Sequence, residues 1–99
     1  MAQRRSDFLD QVRAMVTKDR SSTHGDAEDN FADIAALLNI TLKKHLVKPL
    51  DPLDVAKIMI CVKLSRMISS PENIDHWHDT AGYAACGGGI IESKKQQSK

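Results

Sequence analysis

Four segments of the chain place hydrophobic side chains at helical spacing, and short polar stretches separate them. The first segment runs from Ser6 to about Lys18, and Ser6 is placed to cap its amino terminus. Its one-sided apolar stripe consists of Phe8, Leu9, Val12, Met15 and Val16. The next segment, 19–26, is polar, with small residues and a glycine, so it is predicted to be a loop.

A second helix is predicted from Asp26 to about His45. Asp26 can cap this helix, and Glu28 lies in its first turn, where the helix dipole favours negative charge. The apolar face of the helix consists of Phe31, Ile34, Ala35, Leu38 and Leu42. Segment 47–52 holds two prolines and therefore predicts a tight connection to the third helix.

The third helix is predicted from Pro52 to about Ser69, and it is apolar almost all the way round. A helix of this kind is usually buried on most of its sides. A chain of 99 residues has a thin core and few neighbouring helices to cover such a surface. We therefore expect a partner subunit to cover part of the third helix, which predicts a homo-oligomer.

The fourth helix is predicted from about Asn73 to Cys86. Gly87–Gly89 should end it, because three glycines carry a large entropy cost in a helix. Its predicted inner side consists of Ile74, Trp77, Ala81, Ala84 and Ala85. The polar tail 92–99 is expected to be mobile, which leaves an ordered part of about 6–90. The whole chain is thus predicted to be one all-α domain, an antiparallel bundle of about four helices.

Composition narrows the classes of function and partner. With 14 basic and 13 acidic residues the formal net charge is +1, which argues against general nucleic-acid binding. No apolar run approaches the roughly 20 residues needed to span a bilayer, and no signal-peptide core follows the amino terminus. We therefore expect a cytoplasmic protein with no membrane partner. In that reducing compartment Cys61 and Cys86, both inside apolar stretches, are predicted to be buried free thiols.

An acidic pair on the fourth helix is the leading candidate for chemistry. Asp75 and Asp79 are one helical turn apart and share a face. Two like charges placed in this way repel each other unless a cation compensates them. Mg²⁺ is a hard cation that one or two carboxylates hold together with substrate phosphates, so the pair suits it. The alternative is an ordinary solvated acidic face, with Asp75 simply favoured in the first turn of the helix.

Two cationic side chains, Lys63 and Arg66, emerge from the apolar third helix, three residues apart and on one face. Charged residues are rarely buried unless they are paired, so both are expected to point at carboxylates or at a ligand phosphate. Alternatively, Arg66 extends to the surface near the end of the helix.

Other candidate sites have weaker sequence signals. His76 and His78 are two residues apart, whereas helical zinc pairs are four apart. Core packing explains Trp77 more readily than base stacking does. A calcium loop beginning at Asp19 is excluded, because its twelfth position is Asn30 where a glutamate is required.

Three motifs follow one another in order within residues 19–86. They read His24-Gly25-x-x-x-x-Asn30-Phe31-x-x-Ile34-Ala35, then Asp54-Val55-Ala56-x-x-Met59-x-x-x-Lys63-x-x-Arg66, then Asp75-x-x-x-Asp79-x-x-Gly82-Tyr83-Ala84. This series resembles a family of small phage and prophage proteins of unassigned function. More distantly, it resembles the MazG-like all-α nucleoside triphosphate pyrophosphohydrolases, which are helical bundles that usually assemble as dimers or tetramers.

The resemblance implies a set of roles. MazG-like enzymes cleave nucleotides between the α- and β-phosphates, with Mg²⁺ held by acidic residues on two helices. The implied metal ligands in this chain are Asp75, Asp79, Glu28 and Asp33. The implied catalytic residues are Asp75, Asp79 and Lys63. The implied substrate contacts are Asn30, Arg66, His24 and Tyr83. The two glutamates three apart that form the earlier acidic motif of those enzymes are absent, and Glu28, Asn30 and Asp33 stand in that segment.

Two hypotheses about function follow. The first is a Mg²⁺-dependent nucleotide pyrophosphohydrolase that gives a nucleoside monophosphate and pyrophosphate. The second is a non-enzymatic helical oligomer that binds a nucleotide or a host protein. The second hypothesis needs only the apolar third helix and the polar residues beside it, so it does not depend on the missing glutamates.

Overall fold

Four helices form the computed structural model of the protein. They are α1 (Ala2–Thr17), α2 (Ala27–Thr41), α3 (Pro52–Ser69) and α4 (Ile74–Gln97). The structure describes the backbone of residues 2–17 and 27–97 and the side chains of residues 4–17 and 29–96. No strand occurs in these ranges, so the prediction of an all-α chain with four helices is confirmed.

Helices α3 and α4 are packed side by side and run in opposite directions. Gly87 lies beside Leu53 and Ala56, near the start of α3, whereas Asp79 lies beside Lys63, further along the same helix. Residue numbers therefore rise along α3 as they fall along α4, as expected for two helices joined by the short connection 70–73.

Helix α1 packs against the first half of α4 and advances in the same direction as that helix. Phe8 lies against His78, and one to two turns later Met15 lies against Gly82. Val12, between these two contacts, is buried. The first helix is therefore a parallel neighbour of the last helix.

The hydrophobic core lies where α2, α3 and α4 meet. Its buried side chains are Phe31, Ala35, Val55, Ala56 and Ile90, and the half-buried Ile34, Met59, Tyr83 and Cys86 surround them. The rings of Phe31 and Tyr83 are 6.2 Å apart between centroids, so α2 and α4 touch directly there. The core is small, as a chain of this length requires.

The connection from α2 to α3 is held by one amide side chain. Asn39 Nδ2 donates a hydrogen bond to the carbonyl oxygen of Leu50 at 3.0 Å, and its Oδ1 accepts one from the Leu50 N–H at 2.7 Å. Both backbone groups of Leu50 are thereby satisfied in a part-buried position where an unpaired group would cost free energy.

Several predicted helix bounds need correction. Helix α1 begins at Ala2, so Ser6 lies inside the helix and is not its cap. Helix α2 ends at Thr41, and residues 42–45 form a turn in which the His45 N–H donates to the Leu42 carbonyl at 2.8 Å. The predicted cap Asp26 and the whole of the predicted loop 19–26 lie outside the described residues. The predicted bounds of α3 are confirmed.

The largest correction concerns α4, which continues through Gly87–Gly89 and ends only at Gln97. The glycines do not end the helix because Gly87 packs against α3, and tertiary contact outweighs the low helix propensity of glycine there. The longer helix also presents a different inner face. Ala84 and Ala85 are exposed and Trp77 is 49% exposed, whereas Gly82, Gly87 and Ile90 are buried.

Much apolar surface of α3 stays uncovered within this single chain. Ile58, Val62, Leu64 and Ile68 are between 37% and 85% exposed. Cys61, on the same uncovered part of the helix, is exposed as well, so the prediction that it is buried is wrong; Cys86 is half-buried. Among the described helices, none is both long enough and apolar enough to cross a bilayer.

A reciprocal cap starts α3. The Asp54 N–H donates to Asp51 Oδ1 at 2.8 Å, and the Asp51 N–H donates to Asp54 Oδ2 at 3.1 Å. This capping box satisfies two backbone donors that have no partner within the helix. The hydrogen bond from the Asp54 N–H to the Asp51 carboxylate also lowers the pKa of Asp51 below its ordinary value of 3.8.

We expect Asp51→Ala to lower the free energy of unfolding by about 1 kcal/mol at neutral pH, as removal of a helix cap usually does. Because the pKa of Asp51 is lowered in the folded state, its charged form stabilises the fold above pH 3.8. This contribution to the free energy of unfolding is lost as the pH falls through the folded pKa. The difference between wild type and variant should therefore narrow in acid. Urea unfolding at several pH values measures it, and a difference that grows below pH 3.8 would contradict the capping role.

Candidate functional site

A half-buried ion pair joins the two antiparallel helices. The Nζ of Lys63 on α3 lies 2.9 Å from Oδ2 of Asp79 on α4, and the two side chains are 20% and 24% exposed. The prediction that Lys63 points at a carboxylate is confirmed. Because the pair is partly buried, solvent and dissolved salt weaken its attraction less than they would weaken that of a surface pair. Both side chains nevertheless keep some contact with solvent. The site therefore holds a cation and a carboxylate that a polar ligand can still reach.

Asp75 lies one turn before Asp79, at the start of α4. Its side chain is 80% exposed, and its Oδ1 is 4.0 Å from Nδ1 of His78. The Asp75 N–H donates to Oδ1 of Asn73 at 3.1 Å, so Asn73 satisfies one of the free backbone donors of the first turn. The exposure of Asp75 fits a solvated residue favoured by the helix dipole, and it equally leaves the carboxylate accessible to a ligand.

His78 has a structural role that its sequence position did not reveal. Its ring stacks on Phe8 with centroids 4.8 Å apart, and its Nε2 is 2.7 Å from Oε1 of Gln11. Both partners lie on α1, so His78 fastens this helix to α4.

His76 has an Nδ1 that is buried without a hydrogen-bond partner among the described residues.

The remaining predicted site residues lie on three helices. Tyr83, one turn after Asp79, is half-buried against Phe31. Arg66 is exposed near the end of α3, as the alternative of an arginine that reaches the surface requires. Asn30 and Asp33 are exposed on α2.

Two predicted site residues cannot be placed against the others. His24 lies outside the described residues, and so does the side chain of Glu28.

Among the described side chains, no group of three or more histidine, cysteine, aspartate or glutamate residues is close enough together to hold a metal ion. Mg²⁺ bound with a nucleotide needs only one or two protein carboxylates, because phosphate oxygens and water supply the other ligands. Asp75 and Asp79 remain the predicted ligands for a site of that kind, and the magnesium assignment stays a prediction.

Trp77 is not a core residue, contrary to the sequence interpretation. Its side chain is 49% exposed, and its Nε1–H donates to the carbonyl oxygen of Pro71 at 3.1 Å. The hydrogen bond fixes one edge of the indole to the α3–α4 connection and leaves part of the ring open to solvent. A sequence pattern could not show this, because the partner is a backbone carbonyl outside the helix.

The chain can now be placed among known proteins. Residues 7–91 match a family described as a domain of unknown function (DUF6378). The chain belongs to this family. It is also similar to the Gene 55 protein of Mycobacterium phage D29, with 32% identity over 79 residues. The aligned region covers 80% of this chain and 50% of that protein, so the chain spans about half the length of its phage relative. No solved structure matches the chain.

The DUF6378 match begins in α1 and ends in α4, so it includes every helix that contributes to the site. The Lys63–Asp79 pair, Asp75 and Tyr83 all lie within the matched residues. Chemically, the ion pair and the exposed carboxylate one turn away offer groups that suit an anionic ligand bound together with a cation.

Proposed function

We propose that this DUF6378 protein binds a nucleotide through its phosphates, together with Mg²⁺, at Lys63, Asp75 and Asp79. The observation that carries the proposal is the half-buried Lys63–Asp79 ion pair with a second, exposed carboxylate one turn away. The ion pair supplies a cation and a carboxylate whose charges can be exchanged when a charged ligand arrives, and Asp75 shares a helix face with Asp79.

The exchange follows from charge balance. In the present structure the ammonium of Lys63 neutralises Asp79. Mg²⁺ brought by a nucleotide would take the place of that ammonium at the carboxylate, with Asp75 as a second ligand. Lys63 would then be released to a phosphate oxygen, where a charge-assisted hydrogen bond is strong. Half-burial strengthens the attraction of Asp79 for a doubly charged ion more than its attraction for the singly charged ammonium, which favours this exchange.

Further contacts are proposed from the resemblance to MazG-like proteins. Asn30 on α2, Arg66 on α3 and Tyr83 on α4 would contact the nucleotide, together with His24. Glu28 and Asp33 would complete the metal site from α2. The finer proposal is hydrolysis between the α- and β-phosphates, with Asp75, Asp79 and Lys63 as the catalytic residues. Bound Mg²⁺ would position the phosphates and activate the attacking water.

The binding proposal is tested by thermal and urea unfolding with a panel of NTPs and dNTPs, each with Mg²⁺ and with a chelator. A nucleotide present at about 100 times its dissociation constant should stabilise the fold by about 2.7 kcal/mol. Asp75→Asn should abolish the Mg²⁺-dependent part of this stabilisation. Because Asp75 is 80% exposed, the substitution should change the stability of the unliganded protein by no more than about 0.5 kcal/mol.

Glu92→Gln is the matched control, because Glu92 is another exposed carboxylate on α4. It should leave nucleotide binding unchanged. Pyrophosphate release is followed in the same samples, with Asp79→Ala as the inactive variant. Stabilisation without turnover would leave a nucleotide-binding module, and no stabilisation by any member of the panel would contradict the proposal.

A second candidate is a non-enzymatic helical oligomer, a dimer or tetramer, that binds a nucleotide or a host protein. The observation that favours it is the amount of uncovered apolar surface. Only six hydrophobic residues of the described chain are buried, whereas large ones on α3 such as Ile58, Leu64 and Ile68 are 37–85% exposed. Contiguous apolar surface of this kind commonly marks an interface.

Both candidates would act in the cytoplasm of a bacterial host, where nucleotides and host proteins are available.

A further inference from the structure

A groove separate from the Lys63–Asp79 pair runs between α1 and the start of α4. Its volume is about 580 Å³, and its lining is almost entirely apolar. One wall belongs to α1 and includes Leu9. The other wall is the α3–α4 connection and the start of α4, with Ile74 and Trp77. The groove lies on a different side of α4 from Asp79, because residues two apart on a helix point in different directions.

The centre of the groove is apolar surface in contact with water. Leu9 is 62% exposed, Ile74 is 53% exposed and Trp77 is 49% exposed. The indole of Trp77 is held in place by its hydrogen bond to Pro71, so the surface is largely preformed. A preformed apolar surface loses little conformational freedom when it is covered, which favours association.

Charges of opposite sign stand on the two walls. Arg4 and Arg5 lie on the α1 wall, and Glu72 lies on the wall formed by the α3–α4 connection. Among the described residues, none of these three side chains is in an ion pair. Consider a two-fold axis that runs along the groove, in the plane between two copies of the chain. It would place the α1 wall of one copy against the connection wall of the other. Each arginine pair would then face the partner's Glu72 while the apolar centres covered each other.

We propose that the surface formed by the two walls of this groove is a homodimer interface, packed against the same surface of a second copy of the chain. A surface with both charges on opposite sides of an apolar centre is complementary to itself, as a two-fold interface requires. The groove is also open to solvent, so a small molecule bound in it would stay largely exposed, unlike ligands in typical enclosed pockets. A purely acidic peptide would match Arg4 and Arg5 but would be repelled by Glu72.

Substitutions that reverse the charges on the two walls test the proposal. Sedimentation of the wild-type protein without nucleotide should show a concentration-dependent dimer. Glu72→Arg should raise the dissociation constant at least about tenfold, since like charges then face each other. The variant with Arg4→Glu and Arg5→Glu should do the same. Combining all three substitutions should restore the wild-type dissociation constant to within about threefold, because the opposite charges face each other again.

Two leucines of equal exposure give a matched pair for the apolar centre. Leu9 in the groove and Leu37 on α2 are each 62% exposed. Leu9→Ser should weaken the dimer at least about tenfold and Leu37→Ser should not, with unchanged helical circular dichroism in both. Any one of three results would overturn the proposal. The wild-type protein could stay monomeric at every concentration, Leu37→Ser could break the dimer while Leu9→Ser does not, or the triple variant could fail to restore the dissociation constant. These measurements contain no nucleotide, so their outcome is separate from that of the nucleotide-binding experiment.

Discussion

Replacing Phe31 by alanine is expected to lower the free energy of unfolding by about 3–5 kcal/mol, the usual cost of removing a buried aromatic side chain. Phe31 is 5% exposed and lies in the core cluster with Val55 and Ile90. Its ring also contacts Tyr83, so the substitution removes the direct aromatic contact between α2 and α4. Because a domain of this size is stable by only about 5–15 kcal/mol, the variant should lose a large fraction of its stability.

Urea unfolding followed by circular dichroism measures this loss. Leu37→Ala is the control, because it removes a large side chain from the same helix at a position that is 62% exposed. The control should change the stability by no more than about 0.5 kcal/mol, as is usual for surface positions. A loss below about 1 kcal/mol in Phe31→Ala would show that α2 does not pack on the core as described.

The double substitution Gly88→Ala and Gly89→Ala is expected to raise the free energy of unfolding by about 2 kcal/mol. Both glycines lie inside α4, and a side chain added at either position would meet no atom within 4 Å. Each alanine should therefore contribute its full helix propensity, about 1 kcal/mol relative to glycine. For a domain of about 100 residues the midpoint of thermal unfolding should rise by roughly 8–16 °C.

Gly82→Ala is the informative control for this experiment. A Cβ at position 82 would lie 2.8 Å from Cε of Met15, so the flexible end of Met15 would have to move and the gain should be smaller than at the open positions 88 and 89. The experiment also distinguishes the two accounts of α4. If the helix ended at Cys86, alanines at 88 and 89 would give no such gain, and an unchanged midpoint would contradict the continuous helix.

The sequence by itself determined the class of the fold and most of its helices. Apolar periodicity predicted four helices, because each must bury one stripe of side chains whatever its neighbours are. The bounds of α3 were also readable, since Pro52 and Asp54 are local signals for a helix start. The Asp75–Asp79 spacing is likewise local, because helical geometry alone places the two residues on one face.

Other features depended on which helices meet. The continuation of α4 through Gly87–Gly89 depends on α3, against which Gly87 packs, and propensity alone pointed to the opposite result. The inner face of α4 was misassigned for the same reason, since a buried glycine carries no hydrophobic signal in a sequence. The role of His78 required α1 to lie beside α4, which no local pattern specifies.

The candidate site shows the same division between local pattern and tertiary contact. The sequence singled out Lys63 and Asp79 separately, each on its own helix, but only the antiparallel pairing of α3 and α4 placed them 2.9 Å apart. Tertiary contact also decided that Trp77 faces solvent at a groove, because its hydrogen-bond partner Pro71 comes from the connection and not from the helix. Helical spacing fixes which residues share a face, and packing between helices decides what that face meets.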